Sequence, residues 1–210
     1  VHLTDEVLVQ KTKKGDLDAF DELVRRYEGK IYGLAYRFMG NHADASDLAQ
    51  DTFIRVYQAL TGFRGDAAFS TWLYRIATNI CRDELRKRQR RRSVSMDEMI
   101  DFSPTNMPAA DGSYSPEEIV QRREMQRQVQ LCLNELSDDH RLILILREIQ
   151  GLSYEEIATA LQCSIGTVKS RISRARSALK DRMSKQGELL AVSQRLITER
   201  GKNNAVSKHL

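Results

Sequence analysis

Between Ser164 and Arg174 the chain interleaves short hydroxyls with cations: Ser164, Thr167, Lys169, Ser170, Arg171, Ser173 and Arg174. Small hydroxyls let a helix lie close in a groove, while Arg forks onto a guanine edge or holds a phosphate. This is chemistry for recognising a nucleic acid rather than for transforming a substrate. A second basic patch lies far away in sequence. Residues 82–92 (RDELRKRQRRR) hold seven basic and two acidic side chains. The stretch 93–115 between the patches has four acidic residues and no basic one. Two separated cationic patches around an acidic connector imply a partner with two phosphate-rich contact sites.

The elements that must position the first set are readable. Ser153 and Glu156 have the spacing of a capping box, which opens a helix at Tyr154, and Ile157, Ala158 and Leu161 form its apolar stripe. Gln162-Cys163-Ser164 is the hinge, and Ser164 caps a second helix from about Ile165. At 3.6 residues per turn Val168, Ile172, Ala175 and Leu179 share one face, so Ser170, Ser173, Arg174 and Ser177 face the other way. Two short helices around a tight hinge form the unit that sets its second helix into a major groove.

The rest of the chain predicts an all-α protein of two small helical domains joined by a flexible linker. Its 210 residues include only 3 prolines and 11 glycines, and no stretch alternates at period two. One helix is predicted from Leu17 to Phe38 after Asp16, with Gly40 closing it, and a second from Ala43 to Leu60. A glycine-bearing loop, Phe63 to Phe69, precedes a third helix capped by Ser70 that ends in the Arg run. The domains are expected at 1–92 and 116–183, the second a four-helix unit, with the acidic linker at 93–115. The second unit opens on the Ser115-Pro116-Glu117-Glu118 start signal, and Ser137 caps a helix with Leu142, Ile145, Leu146 and Ile149 as its core face. A C-terminal extension at 184–210 carries Leu189, Val192 and Leu196 at helical spacing, predicting one helix over 187–200 that stops at Gly201.

Three stretches, "DLAQDTFIRVYQAL", "FRGDAAFSTWLYRIATNICRDELR" and "LSYEEIATALQCSIGTVKSRISRARSALK", together resemble bacterial RNA polymerase sigma factors of the extracytoplasmic-function group in the sigma-70 family. The resemblance covers about residues 15–183. It implies a first domain for polymerase core and the −10 promoter element, and a second for the −35 element. Asp47, Gln50, Asp51 and Tyr57 match the positions that grip a coiled coil of the polymerase's largest subunit. Phe63, Arg64, Gly65, Asp66, Ala67, Ala68, Phe69 and Asn79 match the elements that capture a base flipped from the −10 strand. An Asn amide carries both donor and acceptor, and a Gly lets backbone approach closely. Arg75, Arg82 and Arg86 would follow phosphates. Ser164, Thr167, Lys169, Ser170, Arg171, Ser173 and Arg174 would read the −35 element. Where housekeeping sigma factors carry an aromatic melting wedge, this chain has Arg75 and Ile76, and the family pattern does not cover residues 184–210. The implied partners are core polymerase, promoter DNA and an anti-sigma factor, the last able to hold the protein at a membrane.

Other classes fare less well. His2, His42, His140 and His209 are isolated, no phosphate-binding glycine loop appears, and Cys81, Cys132 and Cys163 form no zinc-ligand spacing. No enzyme, metal or cofactor is therefore expected. Reduced, buried thiols and an acidic N-terminal stretch (Asp5, Glu6) predict a cytoplasmic protein without a secretory signal. A free-standing helix-turn-helix regulator with an N-terminal sensing domain remains the rival reading. It would need a pocket or phosphoacceptor site in the first domain.

Overall fold

The computed structural model describes residues 3–92 and 115–206, and every regular element among them is helical. The helices are α1 (Asp5–Lys13), α2 (Leu17–Met39), α3 (His42–Ala59), α4 (Phe69–Arg92), α5 (Pro116–Asn134), α6 (Asp138–Leu144), α7 (Tyr154–Leu161) and α8 (Ile165–Val206). A 3₁₀ turn spans Leu60–Gly62 and a π-turn spans Ile145–Ile149. Apart from Ser115, the expected acidic linker lies outside the described residues, as do the chain's last four.

Helices α1 to α4 share a core of Leu8, Leu23, Ile31, Leu34, Phe38, Val56 and Leu73, all essentially sealed from solvent. Asp16 caps α2 by accepting from the Ala19 N–H at 3.1 Å, and Asn41 caps α3 by accepting from Asp44 at 2.9 Å. Gly40 ends α2 at φ +84°, and a side chain there would also meet the Asn134 amide at 3.3 Å. Glycine is the residue that fits both demands. Two readings change. Helix α1 was not expected, because Leu8 and Val9 are too few to draw a stripe. Ser70 does not precede α4 but sits in its first turn: the Trp72 N–H already bonds to the Ala68 carbonyl at 3.1 Å.

In the second domain both capping boxes form. Ser115 and Ser153 each accept from the backbone three residues on, while Glu118 and Glu156 reach back. Ser137 precedes α6 without a side-chain capping bond. After Leu144 the helix widens into the π-turn, in which the Gln150 N–H bonds to the Ile145 carbonyl at 3.0 Å. The extra residue rotates the helix end, so Ile149 is 38% exposed instead of joining the core with Leu142, Ile145 and Leu146. The tail is not a separate helix ending at Gly201. Helix α8 runs unbroken from Ile165 to Val206. A mid-helix Gly costs only about 1 kcal/mol relative to Ala, and no Pro interrupts the run.

The domains pack on each other, α4 against α7 and the end of α2 against α5 and α6. The Tyr74 hydroxyl donates to Gln150 (2.9 Å), whose own amide donates to the Lys30 carbonyl (3.2 Å). Gln130 donates to the Arg37 carbonyl (2.8 Å), and Arg82 pairs with Asp139 (2.9 Å). At the centre lies Arg141, only 9% exposed. Its guanidinium donates to the carbonyls of Leu133 (2.9 Å), Asn134 (2.8 Å) and Leu136 (3.3 Å) in its own domain, and of Phe38 (2.8 Å) across the junction. Helices α2 and α5 both end there, where carbonyls lack intrahelical partners and the helix dipoles favour a cation. Burial pushes the Arg141 pKa down, with Asp138 acting in the opposite direction.

Candidate nucleic-acid interface

The helix-turn-helix is assembled as its spacing predicts. Helix α7 ends at Gln162, which takes the left-handed conformation (φ +53°) that a tight hinge requires. Ser164 then caps α8, accepting from the Thr167 N–H at 3.1 Å and exchanging a hydroxyl bond with Thr167 at 2.9 Å. Val168, Ile172 and Ala175 are buried against the rest of the domain, and Leu179 packs at the edge of that core. Burying this face turns Lys169, Ser170, Ser173 and Arg174 outward, all exposed, with Ser164 exposed at the helix start and Thr167 and Arg171 half-buried beside them. Arg174 lies 3.4 Å from the Ser170 hydroxyl, so the two form one polar feature. Arg176 is engaged differently: it forks onto Glu148 at 2.6 and 3.0 Å.

In the first domain the loop between α3 and α4 stands on an aromatic base. Phe63 and Phe69, at its two ends, contact Trp72 with ring centroids 4.9 and 6.0 Å away, and Phe69 meets Tyr27 edge-on at 5.7 Å. Trp72 is thus part of the support beneath the loop. Arg64, Gly65, Asp66 and Ala68 are exposed above it, Ala67 is half-buried, and Gly65 turns at φ +82°. Asn79 is exposed two turns along α4 from Trp72, and Arg75 is half-buried between them. Arg86 is exposed, 3.7 Å from Asp83. Arg82 is the exception on this face, held by Asp139 of the other domain.

A third surface lies on α3. Asp47, Gln50 and Asp51 are exposed, and Tyr57, 46% exposed, rests edge-on against Phe20 at 5.0 Å. Gln50 and Tyr57 border an apolar groove of about 830 Å³ between α2 and α3, floored by Phe20, Val24 and Phe53. Asp44, on the same helix, is taken up by Arg88 and Asn41. No group of three or more metal-ligating side chains occurs among the described residues. No helix among them is long and apolar enough to cross a membrane.

Two sets of residues escaped the sequence reading. Lys13, on the unexpected α1, donates to the Phe63 carbonyl at the root of the loop. Arg141, Gln130 and Gln150 make the junction between domains. Neither follows a periodic pattern, because each acts on backbone carbonyls brought together by tertiary packing.

Comparison with known proteins places these surfaces in a family. The family model for Sigma-70 region 2 matches residues 23–91, and that for Sigma-70 region 4 matches residues 126–179. The chain is 44% identical to the RNA polymerase sigma-H factor of Pseudomonas aeruginosa, covering 83% of this chain and 91% of that one. It is 42% identical to the ECF RNA polymerase sigma-E factor of Escherichia coli K12, covering 86% and 95%. Among solved structures it resembles CnrH in complex with the cytosolic domain of CnrY (TM-score 0.63, 29% identity, 86% and 97% coverage). It also resembles the sigma factor RpoE bound to the anti-sigma factor NepR from Bartonella quintana (TM-score 0.62, 30% identity, 79% and 96% coverage).

Proposed function

The chain belongs to the sigma-70 family of RNA polymerase sigma factors, in its extracytoplasmic-function group, and on that premise we propose how its surfaces divide the work. As a sigma factor it binds core polymerase and directs promoter-specific initiation. The exposed face of α8, with Ser164, Thr167, Lys169, Ser170, Arg171, Ser173 and Arg174, reads the −35 element. Phe63 to Phe69 with Asn79 capture a −10 base after the strands part, while Arg75, Arg82 and Arg86 follow the phosphates. Asp47, Gln50, Asp51 and Tyr57 hold the core enzyme. The domains divide at 1–92, 93–115 and 116–183, with 184–210 as a C-terminal extension into which the last helix continues as far as Val206. An anti-sigma factor restrains the protein, a reading supported by the similar RpoE structure, which is bound to the anti-sigma factor NepR, and its site of action is the cytoplasm.

The observation that carries this division is the sorting of α8. Its apolar side is sealed, while Ser170, Ser173 and Arg174 face solvent together. The test is promoter-dependent transcription by purified core polymerase with and without the chain. Asp47→Arg combined with Asp51→Arg should abolish core binding and transcription with an unchanged melting temperature, since both side chains are exposed. Normal core affinity in that double variant removes α3 from the polymerase contact.

A further inference from the structure

Helix α1 reaches both ends of the loop between α3 and α4. At its start, Asp5 accepts from Arg26 at 3.0 Å and from the Tyr27 hydroxyl. The Tyr27 ring stands edge-on against Phe69, where the loop ends. At the last turn of α1, Lys13 donates to the carbonyl of Phe63, where the loop begins, and its ammonium lies 5.9 Å from the centre of the Phe63 ring. The helix is anchored, because Leu8 and Val9 are each 1% exposed in the core. A helix nine residues long therefore touches both ends of a loop whose entry is otherwise held by the Phe63 N–H on the Leu60 carbonyl (3.1 Å) and by ring contacts of Phe63 with Phe69 and Trp72.

The ring contacts act on the Phe63 side chain, whereas the Lys13 ammonium acts on its backbone, through a charge-assisted hydrogen bond to the carbonyl. The peptide that Lys13 holds leads directly into Arg64 and Gly65. We infer that Lys13 is a positioning residue for base capture: with α1 behind it, it fixes the entry of the loop so that the exposed residues meet an unstacked nucleobase in one geometry. This rests on the reading of Phe63 to Phe69 and Asn79 as the base-capture site. One of the three ammonium donors is used on Phe63, so a phosphate contact is the competing role for the other two.

The test uses holoenzyme assembled from core polymerase and the full chain, on promoter fragments pre-melted across the −10 element. Each non-template base in turn is replaced by an abasic site, and the position of greatest loss in complex lifetime marks the captured base. With Lys13→Met the lifetime on the intact template should fall about tenfold, the loss of one charge-assisted hydrogen bond, and on the abasic template it should not change. Lys13→Arg should restore the difference between the two templates. Equal loss on both templates, with a shallower salt dependence, would make Lys13 a phosphate contact and overturn the inference. Equal loss accompanied by a lowered melting temperature would make it scaffold only, and no change at all would also overturn it. A wild-type holoenzyme that responds to no abasic position fails earlier, at base capture itself, whatever Lys13 does.

Discussion

Removing the guanidinium of Arg141 should destabilise the protein more than any surface cation would. Arg141→Met keeps most of the side-chain volume and deletes every donor. The Leu133 carbonyl retains its bond from the Leu136 N–H (3.1 Å), so the damage falls on the carbonyls of Phe38, Asn134 and Leu136. A buried acceptor that loses its partner costs about 1–3 kcal/mol. Because Asn134 is only half-buried, three such acceptors come to about 3–5 kcal/mol, the range of a broken buried network. For a chain of this length that is roughly 6–20 °C in melting temperature. Thermal unfolding followed by circular dichroism at 222 nm measures it. Arg141→Lys retains a charge but not the planar fork, and should recover less than half of the loss. A melting temperature for Arg141→Met within about 2 °C of the wild type would show that water replaces the guanidinium freely, and the argument from buried acceptors would fail.

Other expectations rest on separate parts of the molecule. Arg174→Ala should weaken one −35 sequence by about 1–3 kcal/mol relative to scrambled DNA, whereas Lys180→Ala should weaken all sequences alike. Equal loss on both DNAs for Arg174→Ala would make it a phosphate contact. Asn79→Ala should slow promoter opening more than closed-complex formation, as permanganate footprinting on duplex and pre-melted templates resolves; no loss on either removes Asn79 from the site. Burial pushes the Tyr74 phenol, with a contribution from Glu156, and the Cys81 thiol each up to about 12. Both groups are neutral when protonated, so the unfolded chain gives up these protons first. Their contribution to stability is complete below about pH 9 and is lost as pH rises toward 12. Tyr74→Phe should flatten the alkaline fall in melting temperature, and an unchanged slope would count against a buried phenol.

How far the sequence could be read depended on whether a residue acts through its own helix. Caps at Asp16, Ser115, Ser153 and Ser164, the buried stripe of α8 and its exposed opposite face are all local. Each follows from spacing within one or two turns, and each is found in the structure. The loop's aromatic ends were legible as loop ends, but not as a base stacked beneath the exposed residues. Arg141 sits among Leu142, Ile143 and Leu144 with no pattern to mark it as buried, since its acceptors come from α2, α5 and the turn beyond α5. Lys13 belongs to a helix whose short apolar content is invisible until Asp5 is seen to hold its start. The extent of α8 was misjudged because a Gly was read as a stop, although one unfavourable residue does not end a long helix.

The contact between α4 and α7 has a consequence measured along DNA. The −10 and −35 elements are separated by about 25 base pairs, which at 3.4 Å each is about 85 Å of duplex. Helices in contact cannot have their reading faces that far apart. The molecule with Tyr74 on Gln150 and Arg82 on Asp139 is therefore too short a ruler for its own promoter. On the proposed assignment of the reading faces, both marks are read together only if the two ends part, giving up those bonds and the Arg141 bridge to Phe38. From Arg92 to Ser115 the chain has 23 peptide steps, which at about 3.3–3.6 Å each reach about 76–83 Å when fully drawn out. That reach adds to the spans of the two domains themselves in bounding the widest gap between marks the ruler can measure, and shortening the segment should narrow the range of promoter spacings the polymerase accepts.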